Sequence, residues 1–425
     1  MNEKNRTVSL EGENHFPRIE KLIADYRKAE PSVDIERARI YTESFKQTEG
    51  EDILIRRAQA FKDYCKKREI RIADEQLIVG DVARVPRAGA VDPVFHCGWL
   101  SEELDTISTR KQDPYIISEE DKKELRDEIF PYWKGKTVSE LWLHQIPPYV
   151  REMAVKTGII DVEIKTQSAA GEVAPYWEKA MELGLGRIDE DLEKAIDALN
   201  PIDPESYAKI TFYKACRMTL EGLKNYILRF AELAERQAEH AEDDRKRELE
   251  TIAENCRHIV ENKPETFWQG LQLTYFILAG CMMEGNGPSY SPGRMDQYLY
   301  PLYAKDIEEE RLSDADTLEL IEAFYVKAAE STWFLSENAA MYFAGYQPFH
   351  SIIVGGIDKK GKDATNRLSY LFITAKMDVQ LHSPSLCARV HQQTPEQLLA
   401  HIAKLARMGT GFPAIYNDEV AIKMM

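Results

Sequence analysis

The stretch FWQGLQLTYFILAGCMM, from Phe267 to Met283, constrains the fold more than any other part of the sequence. Pro264 lies just ahead of it, at a position where a proline ends one helix and can open the next. The stretch is apolar nearly all round, and a helix of that kind must be buried on several sides. It is too short and too interrupted to span a membrane. The chain therefore has to build a large domain around at least one interior helix.

Helical periodicity dominates the first three quarters of the chain. Two stretches place their apolar residues on a single face, at the spacing of an amphipathic helix. The charged sequence AEDDRKRELE (241–250) between them predicts a turn or a solvated face. The positions that define the two faces are Leu220, Leu223, Ile227 and Phe230, and then Leu249, Ile252, Cys256 and Ile259.

The pattern changes after Ser331, where short β-branched runs replace the long helices. HSIIVGGID (350–358) and SPSLCARVH (383–391) are predicted strands, and GFPAIYNDE (411–419) is a predicted short strand and turn. Between the last two, TPEQLLAHIAKLARMG predicts a helix that is capped by Thr394 and ended by Gly409. Late strands, with helices before and between them, indicate a helix-rich α/β or α+β fold.

Composition narrows the classes of function. The net charge is −17, from 55 basic and 72 acidic residues spread along the chain, which argues against nucleic-acid binding. No apolar run reaches the length of a membrane span, and the first residues lack an apolar signal core, so a cytoplasmic location without a membrane partner is expected. The six cysteines are far apart and form no CxxC pair, which predicts buried free thiols rather than zinc ligands or disulfides.

The sequence EVAIKMM (419–425) begins what looks like a new helix. No Gly, Asn or Pro follows to end it. We therefore expect that the chain is truncated.

Ten segments along the chain form a specific set when they are taken together and in order: ERARIYTESF, ILIRRAQAFK, DEQLIVGD, PRAG, ELDTISTRKQDPYIISEEDKKEL, PYWKGKT, SPGRMDQYLYPLY, YFAGYQPF, GKDATNRLSYL and GFPAIYNDE. In that order they resemble the glycyl radical enzyme superfamily, the pyruvate formate-lyase-like enzymes. The likeness is greatest to the choline trimethylamine-lyase and glycerol dehydratase-type eliminases.

The resemblance implies an amino-terminal extension over residues 1–30 and a pyruvate formate-lyase-type domain over residues 31–425. That domain would be helix-rich α/β and form the first half of a ten-stranded β/α barrel, made of two half-barrels of five strands. Family members are longer and carry a catalytic Cys in a GCxE-type loop and a radical-bearing Gly in an RVxGY-type loop. Neither loop is present here, so the chain is predicted to be an amino-terminal portion that stops before both.

The family's chemistry also implies partners. A radical stored on glycine passes to a thiol, and the thiyl removes a hydrogen atom from a small-molecule substrate. An iron–sulfur activating enzyme that uses S-adenosylmethionine would install the radical, so this chain is expected to bind no cofactor directly. The complete enzyme is expected to be a homodimer.

GCMMEG (280–285) mimics the missing cysteine loop superficially. It lies at the end of the buried helix and upstream of SPGRMDQ, which is the wrong order for the family. Because free cysteines are among the most buried residues, Cys281 is predicted to be a packed core thiol.

Glu172 in SAAGEVAPYW is the predicted catalytic pocket carboxylate. The resemblance places an Asp at this position in the choline enzyme and a His in glycerol dehydratase. A carboxylate here could accept a hydroxyl proton or lie against a cationic group. The alternative is an exposed acid at a helix start. The choline enzyme's tyrosine eight residues earlier corresponds to Ile164.

Ser289 and Phe349 are the predicted substrate-binding residues. Ser289 matches a serine beside a pocket histidine in glycerol dehydratase, although that histidine is Pro288 here, and a tight turn is the alternative for this loop. Phe349 matches an aromatic wall residue of the eliminases, and a core phenylalanine is its alternative. His350 should point to the opposite face and is interpreted as structural.

Five further residues are landmarks of the family: Arg294, Asp296, Asn417, Asp418 and Glu419. We interpret them as hydrogen-bond partners that build the barrel, because buried charges must be paired. Adjacent acids on a strand diverge and have no His at ligand spacing, so no metal site is predicted.

The sequence thus predicts part of a glycyl radical lyase that cleaves a C–N or C–O bond of a small alcohol or amine, inactive as this chain alone. The alternatives are a radical decarboxylase, a sulfonate lyase or a formate acetyltransferase of the same family, or a non-catalytic scaffold. A sulfonate would need a cationic clamp near residues 161–170, where Lys165 is the one basic residue.

Overall fold

A computed structural model describes residues 8–155, 157–160, 166–167, 172–285 and 287–424 of the 425-residue chain. Ile164 and Lys165, named above, lie outside the described residues.

Short helices and one small parallel sheet make up the first part of the chain. Its elements are α1 (Pro17–Lys28), β1 (Ser32–Asp34), α2 (Glu36–Gln47), α3 (Ile53–Lys67), β2 (Ala88–Ala90), α4 (Pro93–Glu103), α5 (Glu119–Glu124), a π-helical turn (Leu125–Ile129), α6 (Phe130–Trp133), α7 (Val138–Gln145), α8 (Pro148–Val150) and a second π-helical turn (Arg151–Val155).

Long helices follow, and then strands that alternate with helices. These elements are α9 (Trp177–Asp197), α10 (Pro204–Ala238), α11 (Asp243–Glu261), α12 (Phe267–Gly285), α13 (Met295–Tyr298), α14 (Tyr300–Glu308), α15 (Asp314–Ala329), α16 (Glu337–Tyr342), β3 (Ser351–Gly355), α17 (Arg367–Val379), β4 (Ser385–Val390), α18 (Glu396–Arg407), β5 (Ala414–Asn417) and α19 (Asp418–Met424).

The apolar helix predicted around Phe267 is confirmed as α12, and it lies in the interior. Phe267, Leu271, Leu273 and Phe276 are fully buried in the main core. The amphipathic faces of α10 and α11 also pack into this core, as the spacing of their apolar residues predicted. Among the described residues, no helix is both long and apolar enough to cross a membrane.

The division of the chain at residue 30 stays a prediction. In the structure, Ile19, Leu22 and Tyr26 of α1 are buried in the same core as the later helices. Burial of three such side chains stabilises the packing of α1 by several kcal/mol, at about 1.5–3 kcal/mol for each large apolar side chain.

The strands β3, β4 and β5 form a parallel sheet in that order, with α17 and α18 as the crossover helices. Backbone hydrogen bonds extend this sheet beyond β3. Gly293 N–H donates to Ser351 O at 3.0 Å, and Ser291 N–H donates to Val173 O at 3.1 Å. Five backbone segments therefore lie side by side, as the predicted half-barrel requires, although only three of them are regular strands. We call this layer the five-segment sheet.

The outer edge of the sheet is exposed. Among the described residues, β5 pairs with β4 alone, and Ile415 and Tyr416 are 56% and 52% exposed. Parallel strands are normally covered on both faces, so this edge is unusual for a finished parallel sheet.

One capping prediction is wrong. The N-cap of α18 is Pro395 rather than Thr394, and it makes no side-chain capping bond. Thr394 Oγ1 instead accepts a hydrogen bond from His391 N–H at 2.8 Å, which closes the turn that follows β4. The Thr394 hydroxyl is thus engaged by the turn that precedes the helix and is not used to cap it.

The family landmarks hold the carboxyl ends of the strands together. Asp296 is fully buried and accepts hydrogen bonds from Gly355 N–H (2.8 Å) and Ser369 Oγ (2.6 Å). Asp418, also buried, accepts from Arg389 Nε (2.6 Å) and from Ile357 N–H (2.9 Å). These contacts match the interpretation of barrel-building partners.

Of the other three landmarks, Arg294 and Glu419 are half-buried and Asn417 is exposed. Arg294 donates to the carbonyl oxygens of Gly355 (2.9 Å) and Ile357 (3.0 Å). Asn417 is exposed, and its Oδ1 accepts from Glu419 N–H at 2.9 Å. Asn417 therefore shapes the start of α19 rather than pairing a buried charge.

We expect Gly356→Ala to lower the free energy of unfolding by about 2–4 kcal/mol. Gly356 has a φ of +81°, and a Cβ there would lie 2.9 Å from both Arg389 Cβ and Asp418 Oδ2. Gly361→Ala is the matched control, because Gly361 has a φ of +76° with nothing within 4 Å. Urea denaturation should give the smaller loss for the control, and equal losses would show that crowding at Gly356 is unimportant.

Candidate functional site

Three predicted site residues lie at the starts of neighbouring segments of the five-segment sheet. Glu172 N–H donates to Pro288 O at 2.7 Å, and Ser289 N–H donates to Pro348 O, also at 2.7 Å. The order across the sheet is therefore Glu172, Ser289 and Phe349. With adjacent segments about 4.8 Å apart, the outer two backbones are separated by about 10 Å. This distance suits a small molecule that spans all three.

All three residues have a left-handed backbone. The φ angles are +59° at Glu172, +62° at Ser289 and +56° at Phe349. This region costs a residue other than glycine about 1–2 kcal/mol, and a bulky side chain such as phenylalanine is rarely found there. Strained backbone at adjacent positions often accompanies functional sites, because surrounding packing has to maintain it.

Glu172 is exposed, but it does not start a helix. Helix α9 begins at Trp177, and the acid in its first turn is Glu178. The chain between them is fastened to the next segment, since the Trp177 indole N–H donates to Ser291 O at 2.9 Å. The alternative interpretation, an exposed acid at a helix start, is therefore right about the exposure of Glu172 and wrong about the helix start.

Ser289 is half-buried in the loop after α12. Its carbonyl accepts a hydrogen bond from Ser291 Oγ at 3.1 Å, which tightens the loop. The next residue, Tyr290, is fixed to the chain just before β3, because its carbonyl contacts His350 Nδ1 at 2.8 Å. The position of Ser289 is therefore set by hydrogen bonds on both sides.

Phe349 belongs to a small aromatic group. Its ring packs edge-on against Trp333 and Phe343, with centroids 6.1 Å apart in each pair. Trp333 is buried, whereas Phe349 is half-buried and leaves part of its ring uncovered. It is therefore neither a plain core residue nor a fully exposed one.

His350 is fully buried beside Phe349. Burial lowers the pKa of its imidazole to about 4, only partly opposed by the hydrogen bond to Tyr290, so the ring is neutral at pH 7. Its bond to Tyr290 O fits the structural role predicted for it.

Sequence reasoning missed two polar residues at the same end of the sheet. Gln347 Nε2 donates to Ser385 Oγ and to His382 O, both at 3.2 Å. Ser385 is half-buried, whereas the next residue, Leu386, is buried. The signal that could have found Ser385 is its place as the one hydroxyl residue of SLCARV, directly before the buried run Leu386, Cys387 and Ala388.

The charge at this end of the sheet is negative. No Lys or Arg occurs in the described segments 172–176, 287–293, 343–351, 381–387 and 410–416. Burial, with nearby Lys376 and Arg87, lowers the pKa of His382 to about 4, so this ring is neutral as well. The carboxylate of Glu172 is the formal charge that these segments carry at pH 7.

Cys281 lies in α12 and packs against the main core. Burial raises the pKa of its thiol to about 12, which keeps it protonated at neutral pH. This environment is that of a packed thiol and agrees with the predicted role. In the part of the chain that the structure describes, no group of three His, Cys, Asp or Glu side chains could hold a metal ion.

A family model described as pyruvate formate lyase-like matches residues 8–425. The (2S)-3-sulfopropanediol dehydratase of Klebsiella oxytoca is 33% identical over 96% of this chain and 50% of its own length. The isethionate sulfite-lyase of Nitratidesulfovibrio vulgaris is 32% identical, with the same coverage. The chain spans about half the length of these curated relatives.

A solved structure is similar over the same extent. The glycerol-bound B12-independent glycerol dehydratase of Clostridium butyricum superposes with a TM-score of 0.93 at 37% identity. The match covers 97% of this chain and 52% of the dehydratase. The helix-rich α/β fold is therefore that of about half of such a barrel.

Proposed function

Because the chain belongs to the pyruvate formate lyase-like family of glycyl radical enzymes, we propose that it supplies one wall of an active site for radical elimination from a small alcohol or amine. The reaction would break a C–O or C–N bond, as in the loss of water from a vicinal diol. The observation that carries the proposal is the alignment of Glu172, Ser289 and Phe349 across about 10 Å of adjacent strand starts.

Each of the three residues has a role in this proposal. The Glu172 carboxylate accepts a proton from a substrate hydroxyl, or holds a cationic group by charge. Ser289 lies between the other two and offers a hydroxyl that both donates and accepts hydrogen bonds. The uncovered part of the Phe349 ring packs against the carbon chain of the substrate and excludes water there.

The radical supplies the hydrogen-atom abstraction that starts such an elimination. We propose that the cysteine and glycine that carry it belong to the half of the family length that this chain does not match. On this proposal, the complete enzyme is a cytoplasmic homodimer that is activated by an S-adenosylmethionine-dependent iron–sulfur enzyme, and this chain alone is inactive.

Sulfonate cleavage is the second candidate, because the curated relatives include a sulfopropanediol dehydratase and an isethionate sulfite-lyase. A sulfonate group carries a permanent negative charge and is held in proteins by Arg or Lys. The described strand starts offer a carboxylate and no such cation. Uncharged or cationic substrates are therefore favoured over anionic ones.

A substrate panel distinguishes the two candidates. An enzyme that contains this chain and the remaining half should be activated under anaerobic conditions, and its radical should be quantified by electron paramagnetic resonance. We expect turnover of uncharged diols or of choline, and none of isethionate or (2S)-3-sulfopropanediol. Turnover of the sulfonates alone would establish the second candidate. The absence of both a radical signal and turnover of any substrate after activation would favour the non-catalytic alternative.

A further inference from the structure

Two acidic side chains face each other under the N-terminal segment, by which we mean residues 9–16. Glu322 of α15 and Asp378 near the end of α17 line a cavity of about 490 Å³, together with part of this segment. Glu322 is 1% exposed. This acidic pair lies on helices α15 and α17 and includes none of the candidate-site residues.

The pair cannot satisfy all of its hydrogen-bond acceptors if both carboxyl groups are ionised. Asp378 Oδ2 accepts from Asn14 Nδ2 at 2.8 Å. By contrast, Glu322 Oε1 is buried and has no donor among the described groups, whereas the Asp378 carboxylate is also approached by the backbone N–H groups of Glu13 and Asn14. Two carboxylates are acceptors only, so neither can satisfy the other. One proton on the pair turns one oxygen into a donor, and the Glu322–Asp378 contact then becomes a hydrogen bond.

The N-terminal segment depends on this pair for its contact with α17. Asn14 also accepts from Ser9 N–H (3.0 Å) and donates to Ser9 O (2.9 Å), so it links the fold of the segment to Asp378. Gly12 allows the close approach, because a Cβ there would lie 3.3 Å from Asp378 Oδ1. A second fastening is the ion pair between Glu11 and Lys404 of α18.

The surrounding charges do not neutralise the pair. The groups that face the cavity from the segment and α1 are Glu11, Glu13, His15 and Glu20, and those from α18 are Lys404 and Arg407. Glu319, one turn from Glu322 on α15, adds a further negative charge, which Arg18 of α1 partly offsets because its Nε donates to Glu319 at 3.2 Å. Burial, Asp378 and Glu319 together raise the pKa of Glu322 well above its ordinary value, while burial raises that of Asp378.

We propose that one proton shared by Glu322 and Asp378 latches the N-terminal segment onto α17, and that loss of this proton releases the segment. The device is a pH-sensitive latch. Its closed form keeps the proton, because two buried carboxylates in contact repel each other. Its open form lets water reach both groups.

The direction of the pH effect follows from linkage. The pKa of Glu322 is higher in the closed form than in the open form, where it returns toward its ordinary value. Between these two values the open form releases a proton that the closed form retains. The equilibrium constant for opening therefore rises about tenfold for each pH unit in this window, which starts near the ordinary carboxyl pKa and extends upward.

Hydrogen exchange of the full chain, followed by mass spectrometry from pH 6 to pH 9, tests the latch. Rates for peptides within residues 9–16 are divided by their intrinsic rates, to give protection factors. We expect the wild-type protection factors to fall as the pH rises, by at most about tenfold per pH unit and only until the pH passes the closed-form pKa of the pair. In Glu322→Gln they should be independent of pH, because the amide donates to Asp378 without titrating.

Glu11→Gln is the matched control, since it weakens the second fastening while both members of the acidic pair stay in place. It should reduce protection at every pH and keep the wild-type slope. If Glu322→Gln does not fold, Glu322→Met takes its place and should also remove the slope. Wild-type protection factors that are independent of pH, or a wild-type slope in the Glu322 variant, would overturn the proposal.

Discussion

Glu172→Gln, in an enzyme that contains this chain and the remaining half of the family length, should lower kcat by about 10²- to 10⁴-fold. That range is the usual contribution of a positioned acid or base. Glutamine has nearly the same size but cannot accept a proton from a substrate hydroxyl. The exposed side chain and the backbone bond to Pro288 O mean that the substitution should leave the fold intact.

The matched control is Glu178→Gln, an exposed acid in the first turn of α9. It removes a charge of the same sign a short distance along the chain, and turnover should change by less than about twofold, as is usual for surface positions. The yield of glycyl radical, measured by electron paramagnetic resonance, should be equal in both variants. If Glu172→Gln retains wild-type kcat and KM, the residue has no role in the pocket.

The second large effect concerns stability. Asp296→Ala should lower the free energy of unfolding by about 3 kcal/mol, because it leaves Gly355 N–H and Ser369 Oγ without their buried acceptor. Removal of a buried carboxylate recovers some desolvation energy, since burial raises the pKa of Asp296. The loss of two buried hydrogen bonds outweighs that gain.

Asp358→Ala provides a close comparison. Asp358 also accepts two hydrogen bonds, from the N–H groups of Lys360 (2.7 Å) and Lys362 (2.9 Å), but it lies in an exposed turn. Water can replace the carboxylate there, so urea denaturation should show a loss below about 1 kcal/mol. Similar losses for the two variants would mean that burial does not set the strength of the Asp296 contacts.

The helices and strands were largely predictable from the sequence, because their signals are local. The all-round apolar pattern from Phe267 to Met283 requires an interior helix, and the runs around Ile352 and Leu386 have the composition of buried strands. The capping error at Thr394 arose because its hydroxyl accepts a hydrogen bond from His391 N–H, in the turn before the helix, which the capping rule does not foresee. The order of the segments across the sheet is not local, and the sequence did not predict it: the family resemblance implied only a half-barrel of five strands.

The candidate site was predictable only as a set of positions. No local pattern indicates that Glu172, Ser289 and Phe349 share a left-handed backbone, because none of them is a glycine or an asparagine. Their adjacency depends on hydrogen bonds between residues that are far apart in sequence. The buried pair of Glu322 and Asp378 escaped prediction for a related reason: an acid in a helix is normally assigned to the solvent side.

The left-handed backbone at the three strand starts has a consequence for evolution and engineering. At each position glycine would relieve about 1–2 kcal/mol of strain, yet it would delete the side chain. Selection for heat resistance alone should therefore favour glycine at the exposed position 172, whereas at position 349 the loss of ring packing against Trp333 and Phe343 opposes the gain. On the proposed function, a glycine at position 172 would make the protein more stable and less active. Stabilisation campaigns on this chain should hold these positions fixed.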